Sequence, residues 1–171
     1  MRPHHVGALT MSDDYLANPQ RSSTRLQALS KGIKHNQEFE ILVLDTVKHH
    51  IKDIDFGERG EGWYQVATKD IAMHNRFIRK PMPAINPLFG SDDHVSAADV
   101  RFAKAMIVHH EGALMMAHDY LDNPAVNNGY LERMNLDILR DQKQEIALMW
   151  NIIGDYEGNH CDIKITPDMI D

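Results

Sequence analysis

Phe102, Met106, His109, Ala113, Met116 and Tyr120 follow one another at steps of three and four residues. That spacing places them on one side of a helix, so the stretch predicts an amphipathic helix with this seam turned inward. Ser96 or Asp99 can cap its start, and Asp122-Asn123-Pro124 stops it near Leu121. After a turn at Asn127-Asn128-Gly129, a second stripe of Met134, Ile138, Ile146, Met149 and Trp150 predicts a helix from Leu131 to Ile153. Gly154 ends it, since a glycine accepts the left-handed backbone that closes many helices.

The same pattern occurs earlier in the chain. Residues 1–19 read MRPHHVGALTMSDDYLANP and residues 106–124 read MIVHHEGALMMAHDYLDNP, with twelve of nineteen positions identical. The offset of 105 continues without a gap through Leu26/Leu131, Ile33/Ile138, Gln37/Gln142, Glu40/Glu145 and Ile41/Ile146. A duplicated unit predicts a duplicated hairpin, with one helix ending near Leu16 and another running from Leu26 to Ile54. Two hairpins with matching seams make an all-α four-helix bundle, related by a pseudo-twofold axis. In the second copy, residues 96–105 lead into Met106, whereas Met1 already occupies that position in the first. The repeat therefore predicts a missing N-terminal stretch.

The expected organisation is a single bundle domain over residues 1–171. Repeat one covers 1–54, an irregular crossover 55–95, repeat two 96–155, and a tail without regular structure 156–171. Gly57, Gly60 and Gly62 mark a loop in the crossover, Trp63 to Arg79 predicts a further helix, and Pro81, Pro83 and Pro87 impose extended chain.

Composition narrows the function classes. The chain carries 18 Lys and Arg against 25 Asp and Glu, a net charge of −7 without a basic run, which argues against nucleic acid as a partner. No apolar stretch is long enough to span a bilayer, so membrane insertion is not expected. A single cysteine, Cys161, excludes an internal disulfide and a cysteine-based zinc cluster. Eleven His and ten Met are an unusual excess.

Those residues recur in the repeat. Met106, His109 and His110 can converge on one helix face, with Met116 further along and Ala113 leaving room above the imidazole. Met1, His4, His5, Ala8 and Met11 reproduce the set. Thioether and imidazole favour Cu(I), and imidazole alone also serves Cu(II), zinc or nickel. Gln142 and Glu145, and their counterparts Gln37 and Glu40, lie one turn apart on the following helix. They are candidates to orient the imidazoles rather than to coordinate. Protons would then compete with copper for imidazole, so binding is expected to be tighter at pH 7 than at pH 5. Two rival readings use the same residues: an interaction or scaffold module whose His pairs hydrogen-bond across the core, and a metal-dependent enzyme with an open coordination position. Against catalysis, the repeated helices lack a Glu-x-x-His pair, and no phosphate loop, nucleophile elbow or zincin helix occurs. His49-His50, Met73-His74, His118 and Glu157-x-x-His160-Cys161 have ligand chemistry without a repeated counterpart.

The combination Asp99-x-x-Phe102-x-x-x-Met106-x-x-His109-His110-x-x-Ala113-x-x-Met116, followed by Gln142-x-x-Glu145-Ile146-x-x-Met149-Trp150, resembles a ferritin-like "domain of unknown function" family that includes CopM-type copper-binding proteins. The resemblance covers roughly 1–54 and 96–155. It implies a helical bundle in exported bacterial proteins, periplasmic or secreted, with His and Met residues that bind copper in some members. The first copy departs from it at Leu44 and Asp45, where the second has Met149 and Trp150. The expected function is therefore non-enzymatic copper sequestration or homeostasis. Met106, His109, His110 and Met116 would capture the ion, and self-association is left open.

Overall fold

The computed structural model describes residues 1–53, 94–126 and 128–170. Four α-helices occur among them: α1 (Arg2–Ala17), α2 (Thr24–Asp53), α3 (Ala97–Leu121) and α4 (Gly129–Gly154). The expected helix Trp63–Arg79 and the crossover up to residue 93 lie outside the described residues.

Local chemistry sets the helix starts. At α3, Ser96 Oγ accepts the Asp99 amide at 3.2 Å, while Asp99 Oδ2 accepts the Ser96 amide at 2.7 Å. This reciprocal box satisfies two amides that the helix itself cannot pair. Ser23 Oγ accepts the Leu26 amide at the start of α2. Asn128 Oδ1 accepts the amides of Tyr130 and Leu131, so α4 begins two residues before the expected Leu131.

Each hairpin packs as a helix pair, α1 on α2 and α3 on α4, and the hairpins join through α2 against α4 and α1 against α3. The core falls into two apolar layers. The larger gathers Ala8, Met11, Leu29, Ile33, Met106, Met149 and Ile152, and the smaller gathers Ala113, Met134, Ile138, Val43 and Val47. The 105-residue repeat maps one onto the other: Ala8 to Ala113, Leu29 to Met134, Ile33 to Ile138, Val47 to Ile152. A pseudo-twofold axis therefore exchanges the two ends of a four-helix bundle and runs through the middle layer.

Two expectations are corrected. Trp150, placed in the buried stripe, is 48% exposed. It follows Met149, which is fully buried, and one further helical residue rotates the side chain out of the seam. The tail, expected to be irregular, forms 3-10 turns at His160–Asp162 and Pro167–Met169. Ile163, Ile165, Met169 and Ile170 pack on the larger apolar layer, and Lys104 Nζ donates to the carbonyls of His160 and Ile163. Asn159 Oδ1 caps the first turn.

Candidate functional site

Between the apolar layers the four helices contribute polar side chains at one level. Helix α1 supplies His4 and His5, α2 supplies Asn36, Gln37 and Glu40, α3 supplies His109 and His110, and α4 supplies Gln142 and Glu145. Apart from the half-buried His4, all are buried. Burying so many polar groups is costly unless they are paired, so their partners decide what the layer is.

The helices α1 and α3 cross where His4 meets His109, with ring centroids 3.6 Å apart and planes inclined by 34°. His109 Nε2 donates to the His4 carbonyl at 2.9 Å, and the His4 ring makes the reciprocal contact with the His109 backbone. The approach is close: a Cβ on Gly112 would stand 3.2 Å from His4 Nε2. The adjacent histidines turn to the long helices. His110 Nε2 donates to Glu145 Oε2 at 2.8 Å, and Asn36 Nδ2 donates to Glu145 Oε1 at 3.2 Å. In the other repeat His5 Nε2 lies 3.0 Å from Glu40 Oε2 but is not aligned for a hydrogen bond.

These partners fix the tautomers. A carbonyl or carboxylate oxygen only accepts, so Nε2 carries the proton and Nδ1 keeps its lone pair in a neutral ring. Burial depresses the pKa of His4 to about 4, with the neighbouring His5 adding to it. Burial likewise takes His5 to about 3, with the positive amino terminus and His110 contributing, and His109 to about 3, with His4 and His110 contributing. The Nδ1 atoms of His4, His5, His109 and His110 are all buried without a hydrogen-bond partner. Gln142 is buried with neither amide atom partnered, and Gln37 Oε1 is in the same condition. The layer thus presents lone pairs facing no donor.

The thioethers are distributed differently from the expected grouping. Met106 joins Met11 in the larger apolar layer, while Met1 packs on the smaller one and its amino nitrogen lies 3.5 Å from Met116 Sδ. The imidazoles of both repeats come together, and the methionines flank them on both sides. Among the described residues no three His, Cys, Asp or Glu side chains are already placed to share one ion. His49 and His118 are exposed, far from burial in the layer. His160 Nδ1 stands 3.9 Å from the exposed Cys161 Sγ, and Met73-His74 lies outside the described residues.

One contributor was not singled out from sequence: Asn36 has no counterpart of its own kind, because the repeat places Asp141 there. Asp99, read as a helix cap and as the first position of the family pattern, also accepts the Tyr15 hydroxyl at 2.7 Å, the Ser22 and Ser23 amides and the Ser22 hydroxyl. Burial opposes its charge, but the bonds from Tyr15, Ser96 and Ser22 outweigh it and hold its pKa below the usual carboxylate value. A polar residue gathering contacts across long sequence separations leaves no spacing signal.

Residues 1–153 match the domain of unknown function DUF305, and the chain belongs to that family. No curated protein and no solved structure matches the chain.

Proposed function

We propose that the polar layer binds a soft to borderline metal ion, copper as Cu(I) or Cu(II), and that the protein sequesters it without turnover. The observation that carries this reading is the set of four buried, unpartnered Nδ1 atoms, three of them, in His4, His109 and His110, on imidazoles whose Nε2–H donates to a carboxylate or carbonyl oxygen. Metal-binding histidines are commonly held this way, the outer nitrogen donating so that the inner one is fixed and made more basic. The donor set fits copper better than calcium or magnesium, which require several oxygen ligands. Because no three His, Cys, Asp or Glu side chains among the described residues are yet in register, capture there requires the rings to reorient within the layer. Met11 and Met106 in one flanking layer, and Met1 on the other with Met116 beside its amino group, are soft donors for a reduced ion. The finer relation to ferritin-like, CopM-type proteins and an exported location, periplasmic or extracellular, belong to the same proposal and rest on the sequence resemblance.

Titration of tag-free protein with Cu(I) and Cu(II), followed by metal analysis after desalting, tests it. Stoichiometric copper is expected in the wild type and is lost in the variant with His4, His5, His109 and His110 all changed to Ala. Equal copper in both folded proteins would refute the reading. It would leave the scaffold alternative, which one observation favours: His109 and His110 already make hydrogen bonds across the bundle.

A further inference from the structure

The pseudo-twofold axis is broken in the polar layer at one contact. Glu145 is held by both oxygens, Oε2 against His110 Nε2 at 2.8 Å and Oε1 against Asn36 Nδ2 at 3.2 Å. Asn36 belongs to the first repeat and Glu145 to the second, so this tie crosses between hairpins. The 105-residue repeat maps Glu145 onto Glu40 and Asn36 onto Asp141. An ionised aspartate has no proton to donate, so the symmetry-related tie to Glu40 cannot form as an amide-to-carboxylate bond. Asp141 Oδ1 instead accepts from Arg140 Nε at 2.7 Å. On the side with the amide the His–Glu pair is aligned, and on the side with the carboxylate it stands at 3.0 Å out of alignment.

We infer that Asn36 is a positioning residue that fixes Glu145, and through it His110, so that the polar layer takes up its metal first at His110. The inference rests on the metal-binding reading for what His110 receives, but the alignment of His110 is a property of the metal-free protein. A carboxylate anchored at one oxygen can present the other along the imidazole N–H, which fixes the tautomer and the ring plane together. An amide that is already buried and directed at the carboxylate holds it without adding charge to the layer. Asp141 acts in the opposite sense: a carboxylate at that register cannot anchor Glu40 by donation, and His5 is left less tightly aimed. The two halves of the duplicated site thus differ at the pair of positions Asn36 and Asp141.

Two substitutions test this, with imidazole nitrogen shifts of the metal-free protein read by NMR beside copper titration. Asn36→Leu, close in size and without a donor, is expected to make His110 lose its single Nε2–H tautomer and to weaken first-ion affinity about tenfold, as loss of a ligand's hydrogen-bond partner commonly does. Asp141→Asn, nearly isosteric at a position whose carboxylate pairs with the exposed Arg140, is expected to give His5 the same tautomer signature and to bring the second half towards the first. Unchanged His110 shifts in folded Asn36→Leu would overturn the inference. If that variant does not fold, Asp141→Asn decides: unchanged His5 shifts overturn it. Should the wild type bind no copper while both shift changes occur, the metal reading falls and the positioning role stands.

Discussion

At one end of the bundle Tyr15 stacks on Phe102, ring centroids 4.1 Å apart and planes 9° from parallel, and its hydroxyl donates to a buried Asp99. At the other end the repeat-related Tyr120 is half-buried, and its pKa is raised by burial and by the charge of Glu132. The same tyrosine is tied to a carboxylate in one place and set beside the field of another. The first end also carries the tail and the larger apolar layer. Duplication thus supplied two equal frames, and among the described residues Asp99 and the tail, outside the repeated seam, add ties at one end.

The largest test of that contrast is Asp99→Ala. It strands the Tyr15 hydroxyl and the amides of Ser22, Ser23 and Ser96, and the expected loss of stability is about 3–5 kcal/mol. Glu132→Ala at the opposite end should change stability by less than about 0.5 kcal/mol. Denaturant midpoints of the two variants decide it, and similar losses would show the ends to be equally tied.

The middle layer responds to acid, unlike the apolar layers. His109 has a pKa of about 3 in the folded protein against 6.5 as its ordinary value, so on acidification the unfolded chain takes up its proton first. The stabilisation is complete above pH 6.5 and is lost as the pH falls towards 3, with a slope of about 1.4 kcal/mol per pH unit from this group alone. Unfolding of the metal-free protein at pH 7, 6 and 5 should show the decline, and His109→Leu should lessen its slope by about one proton's share, with His4 and His5 supplying the rest. The same shifts revise the expected pH dependence of copper binding. With His4, His5 and His109 neutral between pH 7 and 5, proton competition at these three rings is weak over that range while the protein stays folded. A tenfold loss of affinity over that range would show that the ligands titrate as exposed histidines do.

A finer comparison uses Ile33 and Ile138, equivalent in the repeat and both fully buried. Truncation to Ala costs about 2–5 kcal/mol at such sites, depending on how far the surroundings collapse. Among the described residues the smaller layer around Ile138 gathers fewer buried side chains, so Ile138→Ala should cost about 1 kcal/mol less than Ile33→Ala. The smallest effect is expected for Gly112→Ala. The gain in helix propensity, about 1 kcal/mol, is opposed by the 3.2 Å contact with His4, leaving stability nearly unchanged. The His4 imidazole signals should nevertheless move, and unmoved signals would mean the crossing is looser than its geometry.

Much of this was legible in the chain. The steps of three and four residues, the capping Ser96, and the 105-residue repeat together determined four helices, their limits within a few residues, and two matching seams. They also singled out His4, His5, His109, His110, Glu40 and Glu145, because duplication repeats a residue whatever its partner. What periodicity reports is which face of a helix is turned inward, and it is silent on which inward residue of another helix stands opposite. Only the tertiary structure therefore decided that His4 meets His109, that the methionines part into separate layers, and that Asn36 of the other hairpin joins His110 in holding Glu145. It also turned Trp150 outward and brought Asp99 to Tyr15, since these depend on the angle and depth at which helices pack, quantities set by the whole core.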